Sequence, residues 1–490
     1  MASGLPAIAR APVFGAMGAL AVVLSALSNG YGYHRDELYF RMLHPGWGYL
    51  DEPPLTPLLA HTFSHLSDDA WALRIPATVA TVVSVYVLVL LTRELGGGRV
   101  AQSICAWGYA FAAVPLIMGH ALLTSTVDLP VWPAVLLFAI RALLRAQPSW
   151  WLAAGAVVGL STYNKLLVAV LIVALAVAVL LVGPRPLLWS RPVLAAAGLA
   201  LVIALPNLIY QATHHWPQLS MGRALAADNA GEVHVLVVPF LFIMLGPPLV
   251  PIWIAGLVSL LRRPEWRVLR FIAVALPVLV VLVFVMGSQF YYTFGLLAVI
   301  FAVGCVPTER WARGLRLRGG LVAAAITVNS FVSVLLGLPV IALSALGSTP
   351  VPAINQVARD SVGWPNYVKE IAAVDATLPP ADAGRTVIVA SNYGEAGAVD
   401  RYGARYSLPA VYSPHNQLYF QGVPPQSASV VIFVGGEYDT ASRLFQSCLV
   451  TARLDDRVNV DNEEQGEPIA ICHDPVGGWG RVWPALKHES

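Results

Sequence analysis

The residues with most chemical capacity lie in one short stretch near the N-terminus. It reads Tyr33-His34-Arg35-Asp36-Glu37-Leu38-Tyr39-Phe40 and continues through Trp47-Gly48-Tyr49-Leu50-Asp51-Glu52-Pro53-Pro54-Leu55-Thr56-Pro57. Adjacent carboxylates beside an arginine can take a proton, bind a metal or pair with the cation. They directly follow an apolar run from Ala11 to Ser28. Acids at the end of a membrane span lose hydration unless they have partners or a task. Other isolated ionisable groups are Asp128 in Thr124–Pro130 and Lys165, the only lysine before residue 347.

The elements that must position these groups follow from composition. Only 12% of the 490 residues are charged and 57% are hydrophobic, against about 25% charged in soluble domains. A net charge of +2 without a basic, aromatic-interleaved patch argues against nucleic acid. Apolar runs predict about eleven spans: 11–29, 70–92, 100–120, 127–145, 150–163, 166–182, 192–212, 233–261, 267–286, 289–306 and 319–346. The run from Ala11 is long for a signal peptide and is read as a retained first helix.

Arginines gather in alternate loops: Arg93 and Arg99; Arg141 and Arg145; Arg185 and Arg191; Arg262, Arg263, Arg267 and Arg270; Arg310, Arg313, Arg316 and Arg318. The positive-inside rule makes these loops cytoplasmic. The pattern holds only if 150–182 crosses twice, with a break at Asn164 and Lys165. The other loops are acidic, with Asp36, Glu37, Asp51, Glu52, Asp68, Asp69, Asp128, Asp228 and Glu232. The expected architecture is therefore a polytopic α-helical membrane module over 1–346, with its first external loop at 30–69. A small extracytoplasmic α/β domain follows over 347–490. Its expected strands are Thr386–Ala390, Val430–Val434 and Ile469–Cys472, with a helix near Thr440–Ser447. Cys448 and Cys472 fall in this domain, where an oxidising compartment permits a disulfide; two free thiols are the alternative.

The stretch around Asp36 resembles the GT-C glycosyltransferases, in the branch of the dolichyl-phosphate-mannose–protein mannosyltransferases and bacterial lipid A aminoarabinose transferases. That family opens its first external loop with an Asp-Glu pair and runs on through interfacial helices. The resemblance continues at Asp128, at Gly159–Lys165, at Gln289-Phe290-Tyr291-Tyr292, at Asn392–Ala398 and at Ser413–Asn416. It implies a GT-C fold and transfer of a sugar from a polyprenyl-phosphate donor to a lipid, glycan or protein acceptor at the outer face of the cytoplasmic membrane.

A glycosyl phosphate already carries a good leaving group. The reaction needs a carboxylate to take the acceptor's proton and cations to stabilise the departing phosphate. Inversion follows if the acceptor attacks opposite the phosphate. Asp36 is the expected base, with Glu37 and Asp128 as accompanying acids. Lys165, Arg35 and Arg223 are expected at the phosphate, and His34, Tyr39, Gln289 and Tyr292 at the substrate. Gln289 stands where the family commonly has a cation.

Each role has a plainer rival. Asp36 or Asp128 could cap a helix, Lys165 could snorkel from a short span, and Tyr292 could belong to an interfacial belt. No organic cofactor is expected. A divalent metal fits the chemistry, but His34 and His44 lack ligand spacing. A secondary transporter or a non-catalytic glycolipid-binding protein would use the same composition. A transporter would show inverted repeats and midplane charges, which the sequence lacks.

Overall fold

The computed structural model describes residues 5–489 apart from the side chains at 228 and 229, so the Asp228 side chain lies outside the described residues. The chain divides into two compact units. A helical unit holds the residues up to Ser28, then Glu52–Thr56 and Arg74–Leu338. A sheet-bearing unit holds Asn29–Asp51, Pro57–Leu73 and the residues from Pro339 onward.

In the helical unit the apolar runs form helices because these satisfy every backbone polar group internally. Six are long and apolar enough to cross a membrane: Ala70–Glu94, Thr124–Leu144, Arg191–Thr213, Pro264–Met286, Phe290–Ala312 and Arg316–Gly337. Two bent helix pairs raise the number to eight among the described residues. The other expected spans correspond to shorter apolar helices of 10–17 residues. At about 1.5 Å per residue, these fall short of about 30 Å of hydrocarbon.

Two expected spans change shape. The run 233–261 breaks between Ile243 and Val250, at Pro247-Pro248, and 319–346 stops as a helix at Gly337. The run 150–182 forms two helices, Ser149–Ser161 and Val168–Val182. The first packs on Arg191–Thr213 through Gly155 and Gly159. A Cβ at either would come within 2.3 Å of Ala196 O or 2.8 Å of Ala200 O. Only glycine permits this approach, as in small-residue helix pairs within membranes.

Polar contacts tie together loops that the arginine pattern groups. Glu94 pairs with Arg141 at 3.1 Å and also with Arg145. Gly98 N donates to Glu309 Oε2 at 2.9 Å, and Arg310 lies 3.7 Å from Glu265. Residues 94–98, 141–145, 265 and 309–310 are thus linked pairwise, as a shared membrane side requires.

The sheet-bearing unit contains β1 Thr386–Ala390, β2 Val411–Tyr412, β3 Val430–Val434, β4 Phe445–Arg453 and β5 Pro468–Pro475, in the order β2-β1-β3-β5-β4. β1 is parallel to β2 and β3, whereas β5 is antiparallel to β3 and β4. The sheet is therefore mixed, whereas strands alternating with helices lead one to expect a parallel sheet. β1 and β3 are buried throughout, which accounts for their unbroken apolar runs. The expected helix at Thr440–Ser447 ends at Ser442, and β4 begins at Phe445. β4 alternates exposed and partly buried residues, the period-2 pattern of a half-exposed strand. Cys448 and Cys472 face each other across β4 and β5 and form a disulfide.

Three helices of this unit matter for the site: α1 Arg35–Met42, α2 Trp364–Asp375 and α3 Tyr393–Tyr402. Leu38 and Tyr39 of α1 are 1% and 2% exposed. α3 explains this: a Cβ at Gly397 would lie 2.7 Å from the Leu38 carbonyl carbon.

Candidate active site

The first group of candidate residues lies on α1. Its N-terminus leaves backbone N–H groups without helical acceptors. His34 and Glu37 supply them in a capping box. His34 Nδ1 accepts from Asp36 N at 3.1 Å, and Glu37 Oε2 accepts from His34 N at 2.9 Å. Glu37 is fully buried. Glu37 and His34, expected as catalytic and substrate-binding, thus hold the helix end. The capping rival for Asp36 fails because the neighbouring residues do that work.

Arg35, expected at the phosphate, is engaged within its own unit. Its guanidinium pairs with Glu463, lies 3.7 Å from Glu464 and sits 4.9 Å from the centre of the Tyr393 ring. Tyr39, expected at the substrate, is buried and donates its hydroxyl to Asp51 Oδ1 at 2.9 Å. Asp36 differs from all of these. Its side chain is 31% exposed, and its Oδ1 accepts the Tyr393 hydroxyl at 3.1 Å.

Partly or fully buried acids lie in the same unit. Burial pushes the Asp51 carboxyl up to about 6; the Tyr39 hydrogen bond opposes the shift and the charge of Asp36 adds to it. Burial raises Glu464 to about 7 despite the nearby Arg35. Burial, with Glu464 beside it, raises Glu395 to about 8. Glu395 closes a second capping box, with Asn392 at the start of α3. The Asn392–Ala398 segment, singled out in the sequence, is this helix start.

The second group lies in the helical unit. Asp128 ends the helix Thr124–Asp128 and caps nothing at its start. Its Oδ1 accepts from Asn164 Nδ2 at 2.9 Å. Asn164 also donates to Thr124 O at 2.9 Å and accepts from Thr56 Oγ1 at 2.6 Å. This knot joins the residues after Pro53-Pro54 to the break between two helices. Lys165 lies in that break, with Nζ 3.4 Å from Thr124 Oγ1 and 4.4 Å from the Tyr292 ring centre. A ring face attracts an ammonium, and Asp128 adds attraction across the gap. Asp128, Tyr291 and Tyr292 line a pocket whose other walls include Met118, Leu129, Trp132 and Phe294. Asp128 Oδ2 is buried and makes no hydrogen bond among the described residues.

The structure thus gathers Asp36, Glu37, Arg35, His34 and Tyr39 on one helix, and Asp128, Lys165 and Tyr292 in one knot. Gln289 is half-buried at the start of the turn Phe290–Thr293, without a side-chain cap. Arg223 is exposed on Pro217–Ile243 and makes no ion pair among the described residues. Neither joins either group through a hydrogen bond or ion pair among the described residues. Sequence reasoning gave no site role to Tyr393, Asp51, Asn164 or Thr56. All four lay inside segments already singled out, but nothing local showed which partners those side chains would meet. Among the described residues, no group of three or more His, Cys, Asp or Glu is placed to hold a metal.

Residues 51–210 match the family model described as dolichyl-phosphate-mannose-protein mannosyltransferase. No curated protein sequence matches the chain. The crystal structure of ArnT from Cupriavidus metallidurans bound to undecaprenyl phosphate is similar to it. The TM-score is 0.60 at 14% identity, covering 94% of this chain and 98% of that one. The apo state of the same protein gives 0.59 at 14% identity, covering 93% and 97%. At such identity the likeness is one of fold, and the chain has the GT-C fold.

Proposed function

We propose that the chain is a membrane glycosyltransferase that moves a sugar from a polyprenyl-phosphate donor to an acceptor hydroxyl at the outer membrane face, with inversion. The observation that carries this reading is Asp36. It keeps a partly exposed carboxylate on α1, while Arg35 and Glu37 beside it are spent on ion pairing and capping. Asp36 takes the hydroxyl proton as the acceptor oxygen bonds to the anomeric carbon. The bond from that carbon to the phosphate oxygen breaks, and polyprenyl phosphate leaves with the electron pair.

Lys165 is assigned to the phosphate, held over Tyr292 within reach of Thr124. The apolar walls beside Asp128 suit the isoprenoid portion of such a donor. The ArnT structure that shares this fold was crystallised with undecaprenyl phosphate, which supports a polyprenyl carrier. The disulfide Cys448–Cys472 favours an oxidising compartment for the sheet-bearing unit. The linked arginine-bearing loops favour a cytoplasmic location for the opposite membrane side.

The test is incubation of the purified chain in lipid nanodiscs with radiolabelled polyprenyl-phosphate sugars, followed by identification of labelled products. Wild type transfers label. Asp36→Asn lowers turnover by about 10²–10⁴-fold while donor binding persists. Full turnover in Asp36→Asn removes the base assignment. Donor binding without transfer by wild type favours a glycolipid-binding protein. Movement of an unmodified solute favours a transporter, for which the Asn164–Lys165 helix break is the supporting feature.

A further inference from the structure

We infer that Tyr393 is the positioning residue of Asp36, so that the C-terminal part of the chain sets the geometry of the carboxylate on α1. The inference deepens the reading of Asp36 as the base, and its spectroscopic test stands apart from that reading.

The Tyr393 hydroxyl donates to Asp36 Oδ1 at 3.1 Å. A hydroxyl can serve as a fixed donor only if its ring is fixed, and this ring is held by several neighbours. The Tyr39 ring lies 4.7 Å away centre to centre, the His415 ring 5.0 Å away, and the Arg35 guanidinium 4.9 Å from the ring centre. The backbone is fixed as well. Tyr393 N donates to His415 Nδ1 at 3.2 Å, and His415 stacks on His488 at 4.7 Å. An Nδ1 that accepts must be unprotonated. Burial, with His488 and Arg35 nearby, holds the His415 imidazole well below its usual range, which keeps that acceptor in place.

The helix that carries Tyr393 packs directly on α1, with Gly397 in close contact with Leu38. Burial and the charge of Asp36 hold the Tyr393 phenol well above its ordinary value, so it remains a donor. With Oδ1 occupied, Oδ2 is left for an acceptor hydroxyl. The ionisable groups that face Asp36 are His34, with Nδ1 4.0 Å from Oδ2, then Tyr393, and Asp51 through its charge.

The two segments singled out by sequence, Asn392–Ala398 and Ser413–Asn416, thereby acquire one purpose. The first brings the phenol and the second, through His415, brings its backbone acceptor.

The test uses the full chain in nanodiscs and records infrared spectra of the carboxylate stretches at one fixed pH. The band lost in Asp36→Asn reports on Asp36. A donor held on one carboxylate oxygen makes the two C–O bonds unequal, so its loss moves that band. Tyr393→Phe keeps the ring and removes only the donor. It should shift the Asp36 band, while Tyr39→Phe leaves it in place. An unmoved band in Tyr393→Phe overturns the inference, as does an equal shift in Tyr39→Phe. Where transfer is measurable, Tyr393→Phe should lower kcat about tenfold with an unchanged donor KM. A shifted band together with full turnover in Asp36→Asn keeps Tyr393 as the positioning residue and removes the base role instead.

Discussion

Asp36 and Glu37 are neighbours of like charge with different tasks, and the helix between them decides which is which. A carboxylate at the third helical position can reach back to the N-cap N–H, whereas one at the second cannot do so as readily. Glu37→Gln keeps that bond and should be nearly silent. Glu37→Ala should cost about 1–2 kcal/mol of stability, measurable as a lower thermal midpoint. The acid pair was legible in the sequence. Their division of labour was not, because it depends on where α1 begins. At Lys165, replacement by Ala should weaken donor binding at least about tenfold, with a smaller effect on kcat, as expected of a contact present before and during transfer. Equilibrium binding of the donor lipid checks it.

The raised carboxyls make a separate prediction. Glu395 and Glu464 sit above their ordinary value of 4.5, at about 8 and about 7. Each favours the fold while protonated. That contribution is complete below about pH 4.5 and is lost as pH rises through about 7 and then about 8. The sheet-bearing unit should therefore unfold more easily at pH 8.5 than at pH 6. Glu395→Gln, which can keep the capping box, should flatten that dependence. Thermal unfolding monitored across the pH range decides the point.

At the scale of elements, residues 386–390 and 430–434 were readable as strands because a doubly buried strand is apolar at every position. β4 was misread over Thr440–Ser447 because the end of a short helix and the start of a half-exposed strand share the same few residues. Local pattern cannot separate them; pairing with β5 does. The disulfide across that pair closes a separation of 24 residues. Cys448→Ser with Cys472→Ser should lower stability by about 3 kcal/mol, read as a lower denaturation midpoint of the unit under non-reducing conditions. Gly397→Val presses a side chain onto α1 and should cost about 1–3 kcal/mol. Its further effect should be a loss of turnover with donor binding intact.

For the whole molecule, the arginine pattern groups loops of which residues 94–98, 141–145, 265 and 309–310 are in contact. It could not anticipate that Asn29–Asp51 and Pro57–Leu73 share a unit with the residues beyond Pro339. A linear division at 346 places that first loop with the helices it connects. Nothing in local periodicity shows that its partners lie at the far end of the chain. The bond between Asp36 and Tyr393 spans 357 positions. At about 5–20 residues per second, translation leaves the carboxylate without its partner for about 20–70 s. During that interval the helical segments can already be entering the bilayer while α1 lacks the helix it packs on. The nascent protein thus has a window in which the region carrying Asp36 is its least finished one. Ribosome stalling or a premature stop would leave that region unfinished and open to proteolysis.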